Sequence, residues 1–305
     1  MKTFPLVLFV YKRPDHTLRT LKSLAHCKSA DQTDLFIFSD GPRVDSDVKP
    51  IESVRKICRQ ATGFQSVTME ESPLNRGLAE SVIAGVGAVL AQFSACIVVE
   101  DDLVVAPAFL EFLNKSLEVY QNQSRVFSLS GYAPPHSRVP AHPPGTVWFA
   151  PRPCSWGWAI WKDRWDHVDW DVTDHDAFFQ EKRTRRGFEQ GGRDLSYFLK
   201  LQLRGKLDSW AVRMAWSQSR VNGLTMYPTR SFVENGGLDG TGTHSRAQTR
   251  QLIDLTEAKV PSDWPEVDDS NDRLLRQFRR HYEGTWTERW AHRLNKLSRL
   301  FGSTR

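Results

Sequence analysis

Three consecutive carboxylates, Glu100-Asp101-Asp102, close an apolar run that extends from Ala95 to Val99. Unpaired charges are costly to bury, so three acids at the tip of a buried strand belong at a rim facing solvent, a metal or a ligand. In open α/β sheets that rim, beyond the carboxyl ends of the strands, is where ligands bind. The same triplet also suits an acidic helix start, because Asp and Glu favour helix N-termini. Pro107 fits the first turn of such a helix. Taken alone, the triplet leaves both readings open.

The elements around it give a regular order. Residues 5–11 read as a buried strand, followed by a helix capped by Asp15 and running to about Cys27. A second strand, Asp34 to Phe38, stops at Ser39-Asp40-Gly41-Pro42, where Gly-Pro enforces a turn. A helix over 47–61 leads to a strand around 66–69, and Asn75-Arg76-Gly77-Leu78 opens a helix to about Gln92. The 96–99 strand, a helix over 107–120 and a strand over 126–129 follow. Such alternation predicts a mostly parallel sheet flanked by helices.

Beyond Gly131 the character changes to a proline-rich loop and then a tryptophan-dense stretch. Later come a helix near 193–203 and a glycine-rich loop from Asn235 to His244, with the makings of a lid. The last stretch, from Asp272, reads helical and basic. Trp286, Trp290, Leu294, Leu297 and Phe301 recur at spacings of three and four, which suits a membrane surface, a partner or the protein's own body. Three segments are expected: 1–131, 132–250 and a C-terminal helical tail at 251–305.

Composition narrows the classes. The chain has 305 residues, ordinary apolar and charged fractions, and a net charge of +5, a weak pointer to an anionic partner such as a nucleotide. Eleven tryptophans are unusual, and they suit either a sugar-binding pocket or an aromatic core. Four widely spaced cysteines form no CxxC pair, which argues against a zinc site or disulfide scaffold and fits a reducing compartment. The short apolar N-terminus lacks a cleavage site and no stretch reaches membrane-span length. A cytoplasmic protein is expected, with the inner face of the membrane as a contact through the C-terminal helix and no nucleic acid as partner.

The ordered motifs resemble glycosyltransferases of the GT-A fold, closest to the N-acetylglucosaminyltransferase branch that begins hybrid and complex N-glycans, and to bacterial sugar transferases with its motifs. The first strand with Tyr11-Lys12-Arg13-Pro14, then Phe38-Ser39-Asp40-Gly41, Asn75-Arg76-Gly77-Leu78 and Val98 to Leu103 carry the likeness. Ala106-Pro107-Ala108-Phe109, Ser155-Trp156-Gly157-Trp158 and Asp208-Ser209-Trp210 extend it over about residues 4–245. The implied fold is a Rossmann-like sheet with an acceptor-side subdomain. The implied activity is a metal-dependent, inverting transfer of sugar from a UDP-sugar such as UDP-GlcNAc to a glycan or glycolipid, in bacterial surface polysaccharide synthesis.

The resemblance also assigns roles. Asp102 ligates Mn2+ or Mg2+, which neutralises the departing diphosphate, while Glu100 and Asp101 hold ribose or sugar hydroxyls. Asp40 accepts the base N–H, with a turn Asp as its other reading. Tyr11, Arg13, Asn75 and Arg76 line the nucleotide site, and Trp156, Gly157 and Trp158 shape the sugar pocket, one of these tryptophans belonging to the core. His244 touches metal or diphosphate. Asp208 is the base that takes the acceptor's proton, its other reading being a helix cap. Asp166, Asp169, Asp171, Asp174 and Asp176 form a competing cluster that reads as a solvated loop. Two other classes stay open. A nucleotidyltransferase would carry a glycine-rich loop after the first strand, which Tyr11 to Asp15 lacks. A non-catalytic carbohydrate-binding protein would explain the tryptophans but not the acidic strand tip.

Overall fold

The computed structural model describes residues 2–134, 146–239, 253–267 and 272–283. The described strands are β1 (Leu6–Val10), β2 (Asp34–Ser39), β3 (Ser66–Glu71), β4 (Ala95–Glu100), β5 (Leu103–Val105), β6 (Val126–Ser130), β7 (Val147–Ala150), β8 (Trp158–Trp161), β9 (Leu224–Pro228) and β10 (Val233–Asn235). The α-helices are α1 (Pro14–Ala25), α2 (Val48–Arg59), α3 (Leu78–Leu90), α4 (Phe109–Tyr120), α5 (Lys162–Trp165), α6 (His175–Gln180), α7 (Lys182–Phe188), α8 (Arg193–Leu203), α9 (Trp210–Arg220) and α10 (Asp272–Glu283).

Eight strands form one sheet in the order β3-β2-β1-β4-β8-β6-β9-β7, and β5 pairs with β10 in a separate ribbon. The chain runs outward from β1 through β2 to β3, then returns to place β4 on the other side of β1, with all these pairs parallel. That reversal makes a crevice beyond the carboxyl ends of β1 and β4. β8 lies antiparallel to both β4 and β6, so the C-terminal end of β6 and the N-terminal end of β8 reach the same rim. The sheet is therefore mixed α/β, mostly parallel, and shared by the first 131 residues and the segment after them.

Every residue of β1 is buried, because both faces of the sheet are covered. Leu6, Leu8, Val10, Ile97 and Val99 pack in one layer with Leu24 of α1, Val54 of α2 and Phe109 of α4. Val7, Phe9, Cys96 and Val98 face the opposite layer with Val82 and Val86 of α3 and Trp210 and Met214 of α9. The cysteines are free thiols, and burial pushes Cys27 and Cys58 up to about 12.

Several boundaries differ from the sequence expectation. The acidic triplet does not run straight into a helix: Asp101-Asp102 turn into β5, and α4 starts only at Phe109, with Pro107 ahead of its cap Ala108. β5 is short and was hidden because its pairing strand, β10, lies far along the chain. The cap of α1 is Arg13, with Pro14 in the first turn, so Asp15 is a first-turn acid rather than the cap. The C-terminal region is no free tail where described. Tyr120 donates its hydroxyl to the Pro265 carbonyl at 2.9 Å, and Leu274, Leu275 and Phe278 of α10 pack on Trp148, Ala150 and Tyr227. Residues 284–305, with the amphipathic pattern, lie outside the described residues. No described helix is long and apolar enough to cross a membrane.

Gly157 holds the junction between β8 and the rim. Its φ is +59°, its carbonyl accepts the Gly131 N–H at 2.6 Å, and a Cβ there would lie 2.7 Å from Val233 Cγ2 and 2.9 Å from a Phe109 ring carbon. Left-handed backbone and overlap together predict that Gly157→Ala lowers stability by about 2–4 kcal/mol. Denaturant unfolding measures this, and a change below about 0.5 kcal/mol, the usual range of a neutral surface change, would contradict the packing described.

Candidate active site

The turn after β4 is built around buried charge. Asp101 is 5% exposed; its carboxylate accepts from the Tyr11 N–H at 3.2 Å and from Arg13 Nη2 at 2.7 Å, and its carbonyl accepts from the Thr20 hydroxyl at 2.8 Å. The same Arg13 nitrogen reaches Asp102 Oδ2 at 2.9 Å. Burial works against the guanidinium charge, but the two aspartates hold Arg13 further above its ordinary value. Glu100, half-buried, is pushed up to about 8 by burial and by the neighbouring Asp102 and Asp101, with Arg13 opposing.

Asp102 has a different surrounding. Its carbonyl accepts the Gly236 N–H at 2.8 Å, and a Cβ on Gly237 would overlap its Oδ2 and lie 3.1 Å from Arg13 Nη1. The strand β10 thus runs into glycines where a larger side chain would cover the carboxylate. Its Oδ1 accepts no hydrogen bond among the described residues. No set of three or more His, Cys, Asp or Glu converges for a metal among the described residues. A magnesium-type cation needs only one or two protein carboxylates when phosphates and waters complete its shell. The open oxygen of Asp102 fits that, and Arg13 Nη1, buried without a partner, fits an anionic oxygen beside it. His244 lies outside the described residues, as does the glycine-rich loop beyond residue 239.

Asp40, expected to accept the base N–H, caps the turn before α3 in this structure. Its two oxygens accept from four donors: Gly41 N–H (2.9 Å), Asn75 Nδ2 (2.9 Å), Arg76 N–H (2.8 Å) and Gly77 N–H (2.9 Å). That fills a carboxylate's lone pairs and ties the end of β2 to the turn before α3. Asn75 is correspondingly structural, donating also to the Gly41 carbonyl, while the Arg76 side chain is exposed at the crevice edge. The Tyr11 hydroxyl donates to Asp47 at 2.8 Å, and burial and that bond push it up to about 12.

A cavity of about 490 Å³ opens at the rim and joins the first half of the chain to the second. Glu100, Leu78 and Tyr132 line it together with Trp156, Asp208 and Phe198, and Arg152, His281 and Tyr282 are also in the lining. Asp208 is 66% exposed and paired to Arg213 Nη2 at 2.7 Å, while Arg213 also donates to the Ser209 and Trp170 carbonyls. The cap of α9 is Ser209, whose hydroxyl accepts the Val212 N–H, so Asp208 is not the cap. Trp156 packs edge-on to Tyr132 at 4.6 Å and lines the cavity. Trp158 is corrected: 1% exposed, it stacks between Trp210 (4.8 Å) and Trp165 (6.1 Å) in the core. Gly157 serves the backbone junction described above rather than the cavity wall.

Arg152 and Tyr282 were not legible as site residues. Arg152 pairs both guanidinium nitrogens with Asp194 at 2.8 Å, and its guanidinium lies 3.8 Å from the Tyr282 ring centroid. Three distant segments supply that stack, so no local spacing could signal it. The acidic cluster behaves as loop structure. Asp169 accepts from Thr173 and the Asp171 N–H, which hold it low against partial burial, and Asp174 accepts from Trp216 Nε1 and Arg220.

No family profile and no curated protein matches the sequence. Among solved structures, the mannosyltransferase PcManGT from Pyrobaculum calidifontis, in complex with GDP-Man and Mn2+, is similar at 11% identity over 73% of this chain and 74% of that one, with a TM-score of 0.42. S. aureus TarS 1-349 is similar at 12% identity over 78% of this chain and 62% of that one, with a TM-score of 0.41. Mouse xyloside xylosyltransferase 1 in its apo form gives 10%, 71%, 81% and 0.36 in the same order. Likenesses of this degree carry no assignment, which rests on the site itself.

The cap at Asp40 is open to a direct check. Asp40→Ala leaves three backbone N–H groups and the Asn75 amide short of an acceptor, and is expected to cost about 1–3 kcal/mol. Hydrogen exchange should show the amides of Arg76 and Gly77 losing protection; unchanged exchange there would contradict the cap.

Proposed function

We propose that the protein is a GT-A-type glycosyltransferase that moves a sugar from a nucleotide-sugar, with inversion, to a hydroxyl of a glycan or glycolipid. The observation that carries this reading is a single cavity lined by Glu100 of the acidic turn, by Asp208 from a distant segment, and by Trp156. A single-displacement transfer needs a donor-binding carboxylate cluster and a separate basic carboxylate on the acceptor side. Residues 1–131 would hold the nucleotide, and residues 132–250 the acceptor.

The roles follow from the contacts. Asp102 would hold Mn2+ or Mg2+ through its open oxygen, and the cation when bound would offset charge on the departing diphosphate. Arg13 would donate its unpartnered Nη1 to a diphosphate oxygen. Glu100 would hold a ribose or sugar hydroxyl. The apolar face of Trp156 suits the C–H surface of a pyranose. Asp208 would accept the proton of the attacking acceptor hydroxyl, oriented by Arg213. The acceptor oxygen bonds to the anomeric carbon as the bond to the diphosphate oxygen breaks, and the diphosphate leaves with the electron pair. We assign UDP-GlcNAc as the donor on the sequence resemblance, and a bacterial surface polysaccharide or glycolipid as the product. A purely carbohydrate-binding role draws less from the tryptophan count than the sequence suggests, since Trp158, Trp165, Trp210 and Trp216 are buried.

Two variants separate the roles. Asp102→Asn is expected to weaken UDP binding in manganese and to reduce transfer at least a hundredfold, the size of a lost charge contact at the leaving group. Asp208→Asn is expected to leave UDP binding unchanged while transfer falls by about a thousandfold or more. A radiolabelled-sugar transfer assay with a titration of UDP reads both; full transfer by the Asp208 variant would remove it as the base.

A further inference from the structure

One of the two strongly basic stretches of the chain lies on residues to which the proposed reaction gives no role. Residues 182–206 hold eight basic and two acidic residues, a net of +6 against +5 for the whole chain. Both acids are engaged inside the subdomain, Asp194 with Arg152 and Glu189 with the Ser196 hydroxyl. Their charge therefore does little to offset the basic residues outside.

The fold turns these residues to one side. α7 and α8 lie against each other, and both pack apolar residues on α9, with Phe188, Leu195 and Leu199 against Val212, Ala215 and Trp216. On α8 the positions Arg193, Tyr197, Lys200 and Arg204 fall within about 60° of one another around the helix axis, opposite Leu195 and Leu199. On α7, Lys182, Arg183 and Arg186 are exposed opposite the buried Phe188. Large apolar groups of α8 are exposed beside these cations, Tyr197 at 46% and Phe198 at 39%, and Phe179 of the neighbouring α6 is 49% exposed. Phe198 also lines the cavity, so the basic face borders its mouth.

We infer that the outer face of α7 and α8 is a docking surface for a membrane rich in anionic lipid. Clustered Lys and Arg are drawn to anionic headgroups, and exposed tyrosine and phenylalanine suit the interfacial layer beneath them. A soluble anionic polymer would satisfy the cations but offers no apolar layer for three exposed aromatic rings. Docking by this face would set the cavity mouth beside the headgroups. The surface is built from described residues and is independent of the nucleotide reading.

The test is co-sedimentation of the full chain with vesicles of phosphatidylcholine alone and of equimolar phosphatidylcholine and phosphatidylglycerol. Binding is expected only to the anionic vesicles, and it should weaken as salt rises. The triple variant Lys182→Gln, Arg183→Gln, Arg186→Gln, and separately Arg193→Gln, Arg204→Gln, Lys206→Gln, should each lower partitioning by about a hundredfold. An unchanged melting curve certifies the fold of each. Equal binding to both vesicles, no binding, or full binding by both variants would overturn the inference, the last shifting attachment to the C-terminal residues. Retention on heparin without vesicle binding would overturn it in favour of a polyanion. Titration of UDP reads the nucleotide site separately, so the two readings fail independently.

Discussion

The guanidinium of Arg13 between Asp101 and Asp102 is the contact on which the site's arrangement depends. Three consecutive carboxylates at the end of a buried strand repel one another and lose hydration. One cation at 2.7 and 2.9 Å from two of them makes the turn tenable. The same bridge joins the end of β1 to the end of β4 across the reversal in strand order. The loop after β1 cannot move without disturbing the acidic turn. The third carboxylate, Glu100, has no such ion pair among the described residues, and burial beside Asp102 and Asp101 raises its pKa.

From that bridge the remaining parts take their positions. Asp102 directs β5 outward to meet β10, and β10 brings Gly236 and Gly237 over the carboxylate, where only a glycine leaves it uncovered. β8, antiparallel to β4, starts at Trp158 beside the same rim. It therefore brings Trp156 to the cavity while its own first residue anchors the aromatic core. A core so rich in tryptophan is rigid where the site needs it, below the rim. The more open walls come from α8, α9 and the end of α10.

Much of this was legible in the sequence, for physical reasons. The runs at β1, β2 and β4 are continuously apolar because helices cover both faces of the sheet, so their ends, and the acidic tip, could be located from the chain alone. The helix over Arg193–Leu203 was set by its own apolar spacing. What could not be read depends on partners distant in sequence. Asp40 looks the same whether it faces a ligand or caps Asn75 to Gly77, because three of its four donors come from 35 to 37 residues away. Trp156 and Trp158 are two residues apart, but the left-handed Gly157 between them leaves Trp156 lining the cavity and Trp158 buried at the start of β8. β5 exists only because β10 pairs with it, and Arg152 joins the cavity wall only through Asp194 and Tyr282.

The central claim is that this rim holds a nucleoside diphosphate together with a divalent cation at Asp102. Calorimetric titration of the unaltered chain with UDP, in manganese and again in chelator, tests it most directly. The account predicts saturable one-to-one binding in manganese that weakens at least tenfold in chelator, about 1.4 kcal/mol. Equal affinity under both conditions, or no heat of binding in either, would contradict it.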